Sequence, residues 1–201
     1  GKNPKMDPSA PTSLFVFKTS IEPHVGEVTY FKVMSGTVRE GQDLINSKTS
    51  NKERISQLFA AAGKNRVKVP EMIAGDIGAT VKLRETKINH TLSEKETSYQ
   101  FTPVEFPSPR HSVALKAVNE ADDEKVAEMF QKLHDEDPTY LVEYSKELKQ
   151  MIVHCQGEYH LNALNWFYKN IFKIDIEFQT PKIPYRETIT KAAQSDYRHK
   201  K

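Results

Sequence analysis

The sequence predicts two unlike domains in tandem, a small closed β domain followed by an α+β domain of β-α-β-β-α-β order. Three observations predict this. From Leu14 to Leu83, short period-two segments alternate with turn residues and no helical stretch intervenes. From Leu92 to about Pro109 that pattern lapses into a polar connector bearing Pro103, Pro107 and Pro109. From Val113 onward, strand and helix periodicities alternate.

The first residues are polar and carry Pro4 and Pro8, so residues 1–12 read as linker. Strand signals follow at Leu14–Lys18, Val28–Met34, Leu44–Asn46, Arg54–Phe59 and Ile77–Leu83, separated by Pro23, Gly26, Gly36, Gly41 and Gly75. Short strands at this spacing specify a β domain over 13–92. A barrel is the expected form, because closure removes exposed strand edges.

Residues 93–109 read as a second linker, since proline removes a backbone donor and blocks helix continuation. In the domain expected over 110–180, Val113–Val118 reads as a strand. Asp122 is placed to cap a helix whose first turn carries Asp123 and Glu124, favourable at the positive helix end. Val126, Met129, Phe130 and Leu133 give the i, i+3, i+4, i+7 stripe of a core-facing helix, ended by Asp137-Pro138. Tyr140–Tyr144 and Lys149–Val153 form a hairpin-like pair. Gly157 turns the chain into a second helix with Leu161, Leu164, Tyr168 and Ile171 on one face, and Phe172–Phe178 alternates as the last strand. This order is the split βαβ arrangement of a ferredoxin-like domain. From Pro181 a further extended piece begins, with six basic residues against Glu187 and Asp196.

The chain of 201 residues carries a net charge of +2, so composition alone demands no nucleic-acid partner. Its one cysteine, Cys155, allows no internal disulfide framework, which favours a reducing, cytoplasmic location. No apolar run approaches the roughly 20 residues of a membrane span, and the first residues lack the apolar core of a signal peptide. The absence of an initiator Met and the abrupt Arg198-His199-Lys200-Lys201 lead us to expect a fragment of a longer polypeptide.

No GxxxxGK[ST] loop occurs, and Asn51-Lys52-Glu53-Arg54 has Arg where a guanine-reading motif needs Asp, so no cofactor is expected in this chain. His154, Cys155 and His160 invite a metal or nucleophile reading. Adjacent strand residues point to opposite faces, however, and no third orienting group is evident, so neither a metal site nor a catalytic residue is assigned. A phosphatase-like anion cradle after the first strand is excluded by the acidic Asn119–Asp123 loop. Among Trp166, Phe167, Tyr168 and Phe172, helical spacing leaves at most Trp166 as a surface platform for a base.

Gly157-Glu158-Tyr159-His160-Leu161 resembles the GELHL motif of elongation factor G, Glu136-Asp137-Pro138 its EDP, and Tyr185-Arg186-Glu187-Thr188-Ile189 its YRETI. Val16–Thr19, Gly26–Val28, Ser35–Thr37 and Ala74–Ala79 are similar to its second, β-barrel domain. His199-Lys200-Lys201 resembles a stretch of its fourth domain. The chain departs from the family at Cys155-Gln156, at Tyr159, and at Asn89-His90-Thr91-Leu92, which stands where GDTL is usual.

The resemblance implies domains two and three plus the start of domain four at 181–201, in a divergent paralogue. It implies a ribosome-binding translation factor that couples GTP state to translocation of tRNA and mRNA, with recycling or ribosome protection as alternatives. The GTPase domain, with GTP and Mg, would lie before Gly1. Partners would be rRNA and small-subunit proteins, with no membrane, and the protein would be a monomer. Gly157, Glu158, His160, Leu161, Asp137, Pro138, Tyr185, Arg186 and Glu187 are the motif positions, with Glu158 and His160 heading a packed helix and Arg186 at the hinge into domain four. Lys52, Arg54, Lys64, Arg66, Lys191, Lys200 and Lys201 are the candidate rRNA contacts. A small hydrolase using Cys155 or His160, or a protein-interaction module, are the readings from other classes.

Overall fold

The structure, a computed structural model, describes residues 6–22, 24–62, 65–94 and 100–183. Within these, the first domain is built from β1 (Ser13–Glu22), β2 (Gly26–Ser35), β3 (Thr37–Arg39), β4 (Asp43–Asn46), β5 (Lys52–Arg54), β6 (Phe59–Ala62), β7 (Asn65–Lys68), β8 (Glu71–Ile73), β9 (Ile77–Val81) and β10 (Thr91–Ser93). Eight strands form one sheet in the order β5-β4-β10-β1-β2-β9-β6-β7, while β3 and β8 pair separately. The sheet wraps a main core that includes Leu14, Phe31, Val33, Leu44, Leu58 and Leu92, with Val38 of β3 and Met72 of β8 inside it, and a smaller cluster of Val28, Ala79 and Val81 lies apart from it. The wrap is barrel-like rather than fully laddered. Among the described residues no pairing joins β5 to β7, and the β3–β8 pair is attached through Ala74 N–H to Gly36 C=O (3.0 Å) and Gly75 N–H to Val33 C=O (2.8 Å).

The strand expected over Arg54–Phe59 divides in two. Ile55 and Leu58 are both fully buried, and Ile55 N–H donates to Gln42 C=O at 2.9 Å, so the segment leaves the sheet to plug the core. Residues 7–12, expected as linker, are bonded to the domain: Gly36 N–H donates to Asp7 C=O (2.8 Å) and Ser35 Oγ to Pro11 C=O (2.8 Å). Gly36 has φ +72°, and a Cβ there would sit 2.5 Å from Ala10 O, so the crossing of these two segments requires glycine.

The second domain runs β11 (His111–Ala117), a 3-10 turn (Glu120–Asp122), α1 (Asp123–Glu136), β12 (Leu141–Ser145), β13 (Gln150–Cys155), α2 (Glu158–Phe167), a π turn (Tyr168–Phe172) and β14 (Ile176–Gln179). Its antiparallel sheet has the order β12-β13-β11-β14, as the split βαβ pattern expects. Val113, Leu115 and Ala117 of β11 and Val153 and Cys155 of β13 face Val126, Phe130 and Leu133 of α1 and Leu161 and Leu164 of α2.

Two local expectations fail for local reasons. Asp122 makes no capping bond; its carboxylate takes Lys125 instead (2.9 Å), while the neighbouring Asp123 accepts Ala117 N–H (3.2 Å). Ile171, expected on the buried stripe, is 48% exposed. The π turn adds a residue to the helical period and rotates Phe172 toward the core in its place, edge-on to Tyr168 at 5.5 Å. Among the described residues, no helix is long and apolar enough to cross a membrane.

Candidate functional site

Helix α1 ends in Asp135-Glu136-Asp137, acidic residues at the negative pole of a helix dipole. Each is held from outside the helix. Asp135 Oδ2 pairs with Lys87 Nζ, and Glu136 Oε1 accepts Ile21 N–H, both partners belonging to the first domain. Thr19 Oγ1 donates to the Asp135 carbonyl at 2.6 Å. Burial pushes the Glu136 carboxyl up, against the opposing Ile21 N–H and Lys18 charge. Burial likewise raises Glu27, which Lys87 counters and Asp135 and Glu136 reinforce.

Asp137 turns the other way. Its Oδ2 lies 3.0 Å from His160 Nε2, and its Oδ1 accepts Thr139 N–H (3.0 Å) and Thr139 Oγ1 (2.5 Å). Burial raises this carboxyl, but the bonds from Thr139 and His160 outweigh it and the net shift is downward. His160 Nδ1 accepts Gln156 N–H at 3.2 Å, which leaves Nε2–H to donate to Asp137. The Tyr140 ring stacks on the imidazole with centroids 3.6 Å apart, and Tyr140 Oη donates to His160 C=O at 2.6 Å. Gly157, with φ +154° and ψ −165°, makes the entry to α2 in a conformation open to glycine.

Chemically this is a latch. The Thr139 hydroxyl donates its hydrogen bond to Asp137, and both His160 nitrogens are engaged, so neither histidine nitrogen is free to act as a base on a nucleophile here. Cys155 Sγ is fully buried, 3.7 Å from Gly157 O, and burial raises its thiol pKa, which suppresses the thiolate a hydrolase would need. His154 faces the opposite side of the sheet, with Nδ1 2.7 Å from Ser112 Oγ. Among the described residues no group of three His, Cys, Asp or Glu side chains is placed to hold a metal.

The candidate rRNA contacts separate. On β5, alternation sends Lys52 and Arg54 outward and Glu53 inward, where it is 2% exposed. The Glu53 carboxylate accepts Arg84 N–H (3.0 Å), Glu85 N–H (2.8 Å) and Thr86 Oγ1 (3.0 Å). It thereby pins the segment after β9 beside β5, and Lys82 and Arg84 join Lys52 and Arg54 around a depression of about 280 Å³. Arg54 is 3.5 Å from Asp43 with both side chains more than half exposed, a weak pairing. Arg66 differs: its guanidinium forks onto Glu22 (2.7 and 2.5 Å) and lies over the Phe59 ring, so it braces the β domain. Lys64, Tyr185, Arg186, Glu187, Lys191, Lys200 and Lys201 lie outside the described residues. Sequence reading missed Lys82 and Arg84, since their place depends on a contact between segments far apart in the chain. The one signal was an acidic residue alternating between two basic ones on a short strand.

Comparison with known proteins adds the decisive observation. Residues 11–95 match the family model for elongation factor G domain 2, and residues 106–180 match that for elongation factor G, domain III. The chain belongs to the elongation factor G family. It is also similar to a crystal structure of a protein from Thermus thermophilus, with a TM-score of 0.77 and 26% identity over 88% of the chain. It spans 27% of the length of that protein.

In this chain of the elongation factor G family, the motifs Glu136-Asp137-Pro138 and Gly157–Leu161 are the two halves of one latch. The departures are also accommodated. Asn89, in place of the motif glycine, has φ +70°, a left-handed conformation asparagine tolerates, and its amide bonds both ways to the Val104 backbone (3.0 and 2.8 Å). His90 is buried; its Nδ1 lies 2.9 Å from Asn46 Nδ2 and accepts Lys87 N–H at 3.2 Å. Burial, then Lys48 and Lys87, lower its pKa. Tyr159 is 93% exposed and Trp166 54%, while Tyr168 is enclosed.

Proposed function

We propose that this chain is the ribosome-binding part of an elongation factor G-like GTPase, and that the β5 edge contacts rRNA phosphates. The rim of Lys52, Arg54, Lys82 and Arg84, preset by the buried Glu53 carboxylate, is the observation that carries this reading. RNA helices are recognised largely through backbone and shape, and fixed cations suit that mode. The Asp135–Glu136 contacts to the β domain and the Asp137–His160 contact within the second domain support mechanical transmission between the two.

The longer protein would supply GTP and Mg binding in a domain preceding this one, act as a monomer in the cytoplasm, and drive translocation. Residues from 181 would open a further domain, with Tyr185, Arg186 and Glu187 at its hinge. Recycling and ribosome protection are the alternative tasks.

The test is ribosome co-sedimentation of the full-length protein with a GTP analogue across a salt series. Binding should be strong at low salt, and Lys52→Glu or Arg84→Glu should each lower the salt slope by about one. No binding at low salt overturns the reading.

A further inference from the structure

At the opposite end of the second domain, a cavity of about 270 Å³ opens beside the β12–β13 hairpin. Its wall includes three lysines, Lys116, Lys149 and Lys182, and one carboxylate, Asp123. The Asp123 carboxylate, the end of the acidic Asn119–Asp123 loop, accepts Ala117 N–H at 3.2 Å and keeps its negative charge, so it offsets one of the three lysines. Lys116 Nζ is 3.3 Å from Glu120 Oε1, and that glutamate is 82% exposed, so solvent screens the pair. Positive charge therefore dominates the lining.

The three lysines come from separate parts of the chain, and the backbone that carries two of them is fixed. Lys116 sits on β11. Lys149 closes the hairpin with φ +47°, a left-handed conformation unusual for a lysine, and the turn is fixed by Leu148 N–H donating to Ser145 Oγ at 3.3 Å. The Gln150 amide clamps the backbone of Lys182 in both directions, Nε2–H to O at 3.0 Å and N–H to Oε1 at 3.2 Å. That clamp brings Lys182 to the hairpin. Tyr144, 62% exposed, adds an aromatic surface to the wall, and Gln150 and Gln179 add amides.

From this we infer that the cavity binds a phosphate ester, with the three ammonium groups on the phosphate and the Tyr144 ring beside the organic moiety. The size lies just below the usual range of about 300–1,000 Å³ for small-ligand sites, which limits the occupant to a phosphate and one flat ring. Lysines from independent elements lining one concavity, with aromatic and amide groups beside them, are the chemistry such a ligand requires. The phosphate ester could come from a free nucleotide or from an RNA backbone. The site is separate from the β5 rim and does not depend on it.

The experiment is calorimetric titration of the full chain with a nucleoside monophosphate, with inorganic phosphate and with a short single-stranded RNA lacking a terminal phosphate. Lys149→Gly, which removes the charge and suits the left-handed backbone, and Lys182→Glu are compared with the parent, with circular dichroism melting to check folding. Lys52→Glu reports on the other site, and Lys132→Gln, on α1 and lining neither basic site, serves as the control. Saturable binding of at least one probe, weakened about tenfold or more by Lys149→Gly and Lys182→Glu and unchanged by Lys132→Gln, is expected. Binding of the mononucleotide identifies a small ligand as the source, and binding of the RNA alone identifies the backbone. Absence of binding by all three probes, or binding that survives both lysine changes, overturns the inference. Loss on Lys52→Glu alone would overturn it too, leaving the β5 edge as the phosphate site.

Discussion

His160 Nε2 donates to Asp137 Oδ2 across 3.0 Å, joining the start of α2 to the end of α1, with Tyr140 stacked on the imidazole. Removing one partner strands the other in a half-buried setting. Asp137→Ala should therefore destabilise the second domain by about 1–3 kcal/mol, and His160→Ala by a similar amount. The double variant should cost less than the sum, because the two share one bond. Urea denaturation of the four proteins measures this, and strict additivity would show the bond to be energetically idle.

His90 gives a pH dependence. Its folded pKa lies below the ordinary 6.5, with burial the main cause. The unfolded chain thus takes up this proton before the folded one, and stability should decline as pH falls below about 6.5 toward the folded value. Protonation of Nδ1 would also break its bond from Lys87 N–H. His90→Asn should flatten the thermal midpoint against pH over that interval. An unchanged slope would place the titration elsewhere.

Leu164 and Ile171 separate the helical face from the π turn. Leu164 is fully buried, so Leu164→Ala should cost about 2–5 kcal/mol. Ile171 is half-exposed, and Ile171→Ala should stay within about 0.5 kcal/mol. Comparable denaturation midpoints for the two variants would restore Ile171 to the core stripe.

Glu53 is the support beneath the basic rim. Glu53→Ala leaves the Arg84 and Glu85 amides and the buried Thr86 hydroxyl without their acceptor, and should destabilise the β domain by about 1–3 kcal/mol. Ribosome binding should weaken in parallel although no cation has been removed. Glu53→Ala with full binding and a lowered melting midpoint would show the rim forming without its support.

The fold class was legible wherever periodicity is strong. The alternation around Phe31 and Val33 and the stripe of Val126, Phe130 and Leu133 place those residues in their cores as expected. What escaped was set by contacts distant in sequence. The three-residue strands β3, β5, β8 and β10 are too short to display a period. Ile55 and Leu58 read as strand because burial alone does not reveal a segment leaving the sheet. Ile171 was misplaced because a single inserted residue in the helical turn carries no sequence mark. At the candidate site, Asp137 and His160 were legible as motif positions but not as partners. Arg66 looked available for rRNA until Glu22 was found opposite it.

The crossing at Gly36 has a mechanical consequence. Four hydrogen bonds lace the segment from Asp7 to Thr12 onto the β2–β3 corner: Gly36 to Asp7, Thr37 to Pro8, Ser35 to Pro11, and Thr12 to Thr37. Force arriving along this segment loads those bonds together and passes into the corner as a torque on the whole β domain, with little slack to absorb it. A methyl group at residue 36 would pry the lacing open, uncoupling the barrel from whatever pulls on it while leaving its core intact.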